Sequence, residues 1–293
     1  MNTLKNKVIV IAGGDLRQVA LAKKFSQDNK VYCLGLEKTA CKNKDTIDNL
    51  VISGIMADYI IFPLPISIDD VSVNTPFGKG ELLINDVLSL AKSDTIIYGG
   101  KISETTKEIF EAKGLYYYDF ILKEDFAILN AIPTAEGTVE IAMEETDKTL
   151  FGCNILLLGY GRISKVLIPM LKALGANLIV SARKTSDMAW IEASGLPAVH
   201  TSNLKDNLKG QTLIINTIPY KILDKEILEC VDKSTIIIDL SSKPGGVDFP
   251  VAKSLGIKVI WALSLPGKVA PASAGEIIYK TIINCEFERG NSL

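Results

Sequence analysis

The sequence predicts an α/β protein with two domains, each built on a doubly wound parallel sheet. Apolar runs of strand length alternate with segments of helix length along all 293 residues, an order typical of parallel sheets. Hydrophobic residues make up 47% of the chain, as expected when parallel strands are buried on both faces. A chain of this length exceeds one ordinary core, so we expect two such domains with a ligand cleft between them.

The first predicted domain covers residues 1–132. Its strands are expected at residues 8–12, 31–36, 59–62, 95–98 and 115–118, and its helices at residues 16–25, 81–91, 103–113 and 123–130. A long loop with little periodicity is expected at residues 63–79. A last helix, beginning at Ser273, is predicted to return to this domain, so that residues 273–293 complete it.

A linker helix and a second domain are predicted to follow. Pro133 and Thr134 interrupt the strand–helix alternation, and Thr134 is a suitable N-cap. Residues 133–150 are therefore predicted to form a helix that links the domains. The second domain, residues 151–272, is expected to have strands at residues 155–158, 178–180, 198–201, 212–217, 235–240 and 257–261.

A glycine motif lies at the start of this second domain. Gly159, Gly161 and Ser164 form G-x-G-x-x-S between an apolar strand and a helix, within a strand–helix–strand unit of about 30 residues. Gly159 permits the tight turn, and Gly161 lets a pyrophosphate approach the backbone at the helix N-terminus. The sequence therefore predicts a dinucleotide site. Its other residues are expected in this turn and in the loops after later strands: Tyr160, Arg162, Ile163, Thr217, Ile218, Pro219, Ser241, Leu265 and Pro266.

The residues after the next strand predict which dinucleotide is bound. Sites for NAD usually have an Asp or Glu here, whereas this chain has Ser181, Ala182, Arg183 and Lys184. Two cations and a hydroxyl suit a 2′-phosphate, which an arginine can bind with two parallel hydrogen bonds. The predicted cofactor is therefore NADP(H). The alternative is an ordinary glycine turn beside a solvated basic tip.

Net charge, hydropathy and cysteine content indicate which classes of protein the sequence does not fit. The net charge of −2 gives no indication of nucleic-acid binding, and no apolar run reaches the roughly 18 residues of a membrane helix. The N-terminus is interpreted as a first strand and not as a signal peptide. The cysteines lack C-x-x-C spacing, so we expect reduced thiols, a cytoplasmic location and no metal site. They are Cys33, Cys41, Cys153, Cys230 and Cys285.

Five motifs together resemble the family of the dipicolinate synthase A subunit, in the same order and over almost the whole chain. They are G-G-D-L-R-Q from residue 13, P-T-A-E-G from residue 133, G-Y-G-R-I from residue 159, D-L-S-S-K-P-G-G-V-D from residue 239 and L-P-G-K-V-A-P-A-S-A-G from residue 265. More distantly, the layout is similar to the formate/glycerate dehydrogenase-like and adenosylhomocysteinase families.

The resemblance implies a function. It implies NADP-dependent formation of dipicolinate from a dihydrodipicolinate-type intermediate of lysine biosynthesis, in the mother cell of a sporulating bacterium. It also implies a partner, a flavoprotein-like B subunit. We further expect a homo-oligomer.

A dicarboxylate substrate needs cations and amide donors. Arg17, at a helix N-terminus beside the Gly13 and Gly14 amides, is predicted to anchor a carboxylate. Lys268 is a candidate for a second carboxylate or for proton transfer, and Asp15 for a hydrogen bond to substrate. The alternatives are a surface ion pair for Arg17, a solvated loop position for Lys268 and a helix cap for Asp15.

No residue is an unmistakable acid or base. The stretch at residues 265–268, where many 2-hydroxyacid dehydrogenases carry a histidine, has none, and His200 is expected at the outer sheet edge in a structural or exposed position. Aromatisation of a dihydropyridine supplies driving force, so a strong base is not required. Two alternatives therefore remain: another NADP-dependent hydroxyacid or amino-acid dehydrogenase, and a non-catalytic nucleotide-binding subunit.

Overall fold

A computed structural model describes residues 4–38 and 46–291 of the chain. Cys41 and the last two residues of the predicted C-terminal segment lie outside these ranges. The chain divides into two compact units. Unit 1 comprises Met1–Asn130 and Ala270–Leu293, and unit 2 comprises Ala131–Val269.

Both units contain a parallel sheet, as predicted. The strands of unit 1 are β1 (Val8–Ala12), β2 (Lys30–Leu34), β3 (Ala57–Ile61), β4 (Ala91–Gly99) and β5 (Tyr116–Asp119), in the order β2-β1-β3-β4-β5. The strands of unit 2 are β6 (Asn154–Leu158), β7 (Asn177–Ala182), β8 (Ala198–His200), β9 (Leu213–Asn216), β10 (Ile236–Asp239) and β11 (Lys258–Trp261), in the order β8-β7-β6-β9-β10-β11. The second order is that of the dinucleotide-binding fold.

Helices connect these strands. They are α1 (Leu16–Phe25), α2 (Ile47–Ile52), α3 (Ile84–Leu88), α4 (Glu104–Ala112), α5 (Glu124–Glu145), α6 (Arg162–Ala173), α7 (Thr185–Ala193), α8 (Lys225–Leu228), α9 (Phe249–Leu255), α10 (Leu265–Val269) and α11 (Pro271–Asn291). Short 3₁₀ turns lie at Phe120–Leu122, Thr201–Asn203 and Lys205–Asn207.

Each sheet is buried on both faces. Along β1, Val10 belongs to one apolar cluster and Ile11 to another. Along β6, Leu156 and Leu157 divide in the same way between two clusters. Because successive strand side chains point to opposite faces, two buried faces produce the continuous apolar runs seen in the sequence.

The last helix, α11, completes unit 1 by packing on α1. The ring centroids of Phe25 and Tyr279 lie 4.8 Å apart, edge to face. Gly275 contacts α1 so closely that a Cβ atom there would lie 2.5 Å from the carbonyl oxygen of Arg17. Ile278 and Ile282 are buried in the same cluster as Ile11 of β1. This face of the unit 1 sheet therefore depends on the end of the chain.

Helix α5 differs from the prediction. It continues through Pro133, so Thr134 is an interior residue and not an N-cap, and the division between the units falls within the helix. A proline inside a helix removes one backbone hydrogen bond. Ala131 and Ala135 on either side are buried, so packing along one continuous helix overrides the local break.

Two shorter segments also differ from the prediction. The helix expected at residues 81–91 is limited to α3, because β4 already begins at Ala91. The stretch at residues 265–268, expected as a loop, forms part of α10.

Candidate functional site

The turn between β6 and α6 has the geometry of a phosphate site. Gly159 has a φ of +97°, and a Cβ atom there would lie 2.5 Å from Thr217 Oγ1. Gly161 is the N-cap of α6, no side chain of the described residues caps this helix, and a Cβ atom on Gly161 would meet open space. The first turn of α6 is therefore open to an anion that approaches Gly161, where backbone N–H groups and the helix dipole favour negative charge.

The third position of the motif, Ser164, holds this turn together. Ser164 is fully buried, and its hydroxyl lies 3.1 Å from Thr217 Oγ1. The Thr217 hydroxyl donates to the Leu158 carbonyl at 2.9 Å. These contacts connect α6 with the ends of β6 and β9. The Thr217 hydroxyl is therefore part of the framework of the turn, although the residue was predicted as a direct cofactor contact.

The basic tip after β7 differs from the prediction at two of its four residues. Ser181 and Ala182 are buried, and Ser181 Oγ lies 3.4 Å from the Gly159 amide nitrogen, so this hydroxyl faces the glycine turn and not a 2′-phosphate. Arg183 and Lys184 are exposed, and neither side chain has an ion-pair partner among the residues described. These two cations remain available to an anionic ligand.

His200 lies beside this tip, at the end of the edge strand β8, as expected from the strand order. Its Nε2 atom is 3.0 Å from the Arg183 carbonyl oxygen, and the Ser202 backbone N–H donates to its Nδ1 atom at 3.2 Å. The ring therefore bridges two backbone segments, which is a structural role.

The remaining residues that were predicted to contact the cofactor differ in how far they are exposed to solvent. Arg162 and Pro219 are exposed, and Tyr160, Ile163 and Ile218 are half-buried at the edge where β6 and β9 end. By contrast, Leu265 and Pro266 are buried within a helix, which differs from the prediction for them. Ser241 is also buried, and its hydroxyl has no hydrogen-bond partner among the described residues, so its predicted contact with the cofactor stays a prediction. Leu265 packs against Gly137 of α5, because residues 265–268 form a helix and not a loop.

In unit 1 the strand order reverses between β1 and β3, and ligands of open parallel sheets bind beside such a reversal, at the carboxyl ends of the strands. Arg17 lies at this point. Its Nη2 atom donates to the carbonyl oxygen of Leu64, in the loop after β3, at 3.1 Å. The guanidinium therefore spans the loops that follow the two strands.

Asp15 is both a helix cap and the counter-ion of Arg17. Its carboxylate accepts the Arg17 backbone N–H at 3.0 Å and the guanidinium Nε and Nη2 at 2.9 and 2.8 Å. Arg17 is only 7% exposed and Asp15 is half-buried, so this is a partly buried ion pair and not the surface pair that was the alternative. Its Nη1 atom has no partner within the described ranges.

The amides expected to assist Arg17 are already bonded. The Gly13 N–H donates to the Leu34 carbonyl and the Gly14 N–H to the Asn74 carbonyl, each at 2.7 Å. The prediction that these amides bind a carboxylate is therefore wrong. Of the predicted carboxylate site, only the Arg17 guanidinium, through its Nη1 atom, can still donate a hydrogen bond to a ligand.

Lys268, on α10, is exposed and has no ion-pair partner in the part of the chain that the structure describes. In the same residues, no group of three or more His, Cys, Asp or Glu side chains converges to hold a metal ion. None of the described helices combines the length and the apolar content that a bilayer crossing requires.

Comparison with known proteins decides the family. The model of the N-terminal domain of the dipicolinate synthase A subunit matches residues 8–121. The dipicolinate synthase A subunit of Bacillus subtilis (strain 168) is 34% identical over 276 residues, which are 92% of this chain and 92% of that protein. The chain belongs to the dipicolinate synthase A-subunit family. The resemblance drawn from the five motifs is confirmed.

Solved structures agree with this assignment. The crystal structure of the dipicolinate synthase A subunit from Bacillus halodurans is similar with a TM-score of 0.88 and 31% identity, over 97% of this chain and 99% of that chain. A transhydrogenase from Sinorhizobium meliloti is similar with a TM-score of 0.69 and 15% identity, over 95% of this chain and 92% of that chain. The second likeness shows the fold alone, which this member of the dipicolinate synthase A-subunit family shares.

One buried group in this family member was missed by the sequence analysis. Asp239, at the end of β10, is fully buried and accepts hydrogen bonds from Asn216 Nδ2 at 2.8 Å, the Ser241 N–H at 3.0 Å and the Gly246 N–H at 2.8 Å. The motif D-L-S-S-K-P-G-G-V-D therefore encodes a loop closed by its own first carboxylate. The signal was present, since an acid at a strand end precedes two glycines.

Gln18 was also missed, although it ends the motif G-G-D-L-R-Q. Its side chain is fully buried, and neither amide atom has a hydrogen-bond partner within the described ranges. Buried polar groups without partners are rare in folded proteins and often mark functional positions.

Proposed function

We propose that this protein is an NADP-dependent oxidoreductase subunit that forms dipicolinate from a dihydrodipicolinate-type intermediate. It works as a homo-oligomer with a B subunit, in the cytoplasm of the mother cell of a sporulating bacterium. The observation that carries the proposal is the open turn at Gly161, in a chain that belongs to the dipicolinate synthase A-subunit family.

The residues present fit the cofactor. The Gly159–Gly161 turn and the start of α6 would hold the pyrophosphate, and the exposed cations Arg183 and Lys184 would hold the 2′-phosphate. No acid stands in the sequence where a ribose hydroxyl of NAD would require one. The chemistry that bound NADP⁺ would supply is that of a hydride acceptor, at its nicotinamide ring.

The chain needs to orient the substrate more than to deprotonate it. Oxidation of a dihydropyridine to a pyridine removes one hydride and one proton, and aromatisation supplies the driving force. Water can accept the proton, which agrees with the absence of an obvious base in the sequence. In this proposal, Arg17 offers its Nη1 atom to a substrate carboxylate, and the exposed Lys268 is a candidate for proton transfer.

Replacement of Arg183 with alanine is expected to weaken NADPH binding by about 10- to 100-fold, because a hydrogen bond to a charged group contributes about 1.5–3 kcal/mol. NADH binding is expected to stay unchanged, since NADH lacks the 2′-phosphate. Fluorescence titration of both nucleotides measures the ratio of the two dissociation constants. Lys209→Ala removes the same charge from an exposed position before β9 and serves as the control. An unchanged ratio in Arg183→Ala would contradict the assignment.

The reaction is tested by stopped-flow absorbance with NADP⁺ and freshly generated dihydrodipicolinate, with and without the B subunit. We expect NADPH to form. Formation by this chain alone would place hydride transfer on its own residues, and formation only with the partner would mean that the B subunit completes the site. Tight NADP(H) binding without NADPH formation in either case would favour the non-catalytic alternative. Turnover of other hydroxy or amino acids in a substrate panel would favour a general dehydrogenase.

A further inference from the structure

Gln18 is the third residue of α1 and directly follows Arg17. It has no exposed surface, and both Nε2 and Oε1 lack a hydrogen-bond partner among the residues described. An amide buried in this way destabilises the folded protein, because it has left water without gaining hydrogen bonds. A leucine of similar size would avoid that cost, so the amide calls for an explanation other than stability.

The amide lies at the turn between β1 and α1. A Cβ atom on Gly14 would come within 2.6 Å of Gln18 Oε1 and 2.7 Å of Gln18 Cδ, so the amide rests against the bare backbone of that glycine. This turn borders the reversal between β1 and β3, where open parallel sheets bind ligands. Arg17 reaches the Leu64 carbonyl on the other side of the reversal, and within the described residues its Nη1 atom stays unpaired.

The unpaired state of the amide favours ligand binding. A side chain that is hydrogen-bonded in the free protein must lose those bonds before it binds a ligand, whereas Gln18 has none to lose among the described residues. The amide already loses its contact with water when the protein folds. New hydrogen bonds to a ligand therefore add almost their full strength to the free energy of ligand binding. A change of rotamer at Gln18 on ligand binding would break no hydrogen bond within the described residues.

We propose that Gln18 is a substrate-recognition residue of unit 1 and that its ligand is a cyclic dicarboxylate. The Nε2 group donates to a carboxylate oxygen that also accepts from Arg17 Nη1. Oε1 accepts from an N–H or hydroxyl group next to that carboxylate on the ring. Because an amide carries a donor and an acceptor side by side, it distinguishes such a ring from a simple carboxylate. The inference rests on the proposed function and specifies how its substrate is recognised.

The test is the variant Gln18→Leu in the full chain, titrated calorimetrically with dipicolinate and separately with NADPH. Dipicolinate offers a carboxylate to Gln18 Nε2, whereas its pyridine nitrogen carries no hydrogen for Oε1. Loss of the Nε2 hydrogen bond to a charged group is expected to weaken dipicolinate binding by at least about tenfold, while NADPH affinity stays unchanged. The melting temperature is expected to rise by about 2–4 °C, because an unpaired buried amide is replaced by an apolar group. A residue with a purely structural role would not produce opposite changes in stability and ligand affinity.

Gln211→Leu is the matched control. Gln211 is also buried, has an unpartnered Oε1 atom within the described ranges and lies just before β9 in unit 2. Its replacement is expected to leave dipicolinate affinity unchanged. Gln18→Met keeps the side-chain length without the amide, and it replaces Gln18→Leu if that variant does not fold.

The outcomes separate the two proposals. Wild-type protein that binds dipicolinate, with a Gln18 variant that binds it equally well, overturns this inference and leaves the proposed function standing. Wild-type protein that binds neither dipicolinate nor the dihydro substrate overturns the proposed function, and this inference with it.

Discussion

Gly161→Ala is expected to fold normally and to lose dinucleotide binding by about a hundredfold or more. A Cβ atom at Gly161 meets no atom of the described residues, so the fold has no reason to change. The same Cβ atom enters the space through which a pyrophosphate reaches the first turn of α6. Loss of one or two hydrogen bonds to a charged group, each about 1.5–3 kcal/mol, gives a change of that size. Titration with NADPH measures it.

Gly159→Ala is the contrasting variant. Gly159 has a φ of +97°, which an L-residue rarely adopts, and its new Cβ atom would lie 2.5 Å from Thr217 Oγ1. We therefore expect a loss of about 2–4 kcal/mol of stability in unit 2, measured by urea denaturation. If Gly161→Ala retained full NADPH affinity, the open turn would not be the pyrophosphate site. If it lost as much stability as Gly159→Ala, the space around Gly161 would not be open.

Glu286→Leu is expected to destabilise unit 1 by about 3–5 kcal/mol, because it leaves buried polar groups unpaired. Glu286 lies on α11. Its carboxylate accepts hydrogen bonds from the Tyr98 hydroxyl at 2.7 Å, the Tyr59 hydroxyl at 2.8 Å and Arg289 Nη2 at 2.6 Å. Urea denaturation followed by circular dichroism measures the loss. Glu276→Leu, an exposed position on the same helix, is the control, and equal stability of the two variants would refute the role of this cluster.

The same cluster predicts instability in alkali. Burial, together with the Glu286 carboxylate, raises the pKa of Tyr59 and of Tyr98 above the ordinary value of 10.0. The folded protein therefore keeps protons on these two phenols that the unfolded chain releases above about pH 10, so their contribution to the stability of unit 1 is complete below that pH and is lost as the pH rises. Burial likewise raises the pKa of the Cys285 thiol to about 11.

Tyr98→Phe is expected to reduce the dependence of the unfolding free energy on pH between about pH 10 and 12, since one of these groups is removed. Tyr116→Phe, at a tyrosine that is 70% exposed on β5, should leave that dependence unchanged. A wild-type protein of constant stability across this range would show that the phenols titrate equally in both states.

The glycine turn could be predicted because its requirements are local. A tight turn, a missing Cβ atom and a helix N-terminus follow from a few adjacent residues, and the structure has all three. The amides of Gly13 and Gly14 could not be judged in this way. Their acceptors, Leu34 and Asn74, are distant in the sequence, and only folding shows that the donors are already bonded.

Local rules also failed where packing decided the result. Pro133 predicts a helix start, yet α5 passes through it because its neighbours fit a buried face. Ser241 was predicted as a ligand contact from the composition of its loop. In the structure the Ser241 backbone N–H donates a hydrogen bond to the buried Asp239 carboxylate, so the loop closes on that acid instead of presenting Ser241 at the surface.

The return of α11 to α1 has a consequence for biosynthesis. Unit 2 is one continuous segment and can fold as soon as Val269 has left the ribosome, whereas unit 1 needs two segments that lie on either side of unit 2 in the sequence. The apolar face of its sheet, with Ile11 and Ile61, is covered in part by α1 and stays incompletely covered until α11 has been translated. We therefore expect the N-terminal half, although made first, to mature last, and chaperones to bind it during elongation.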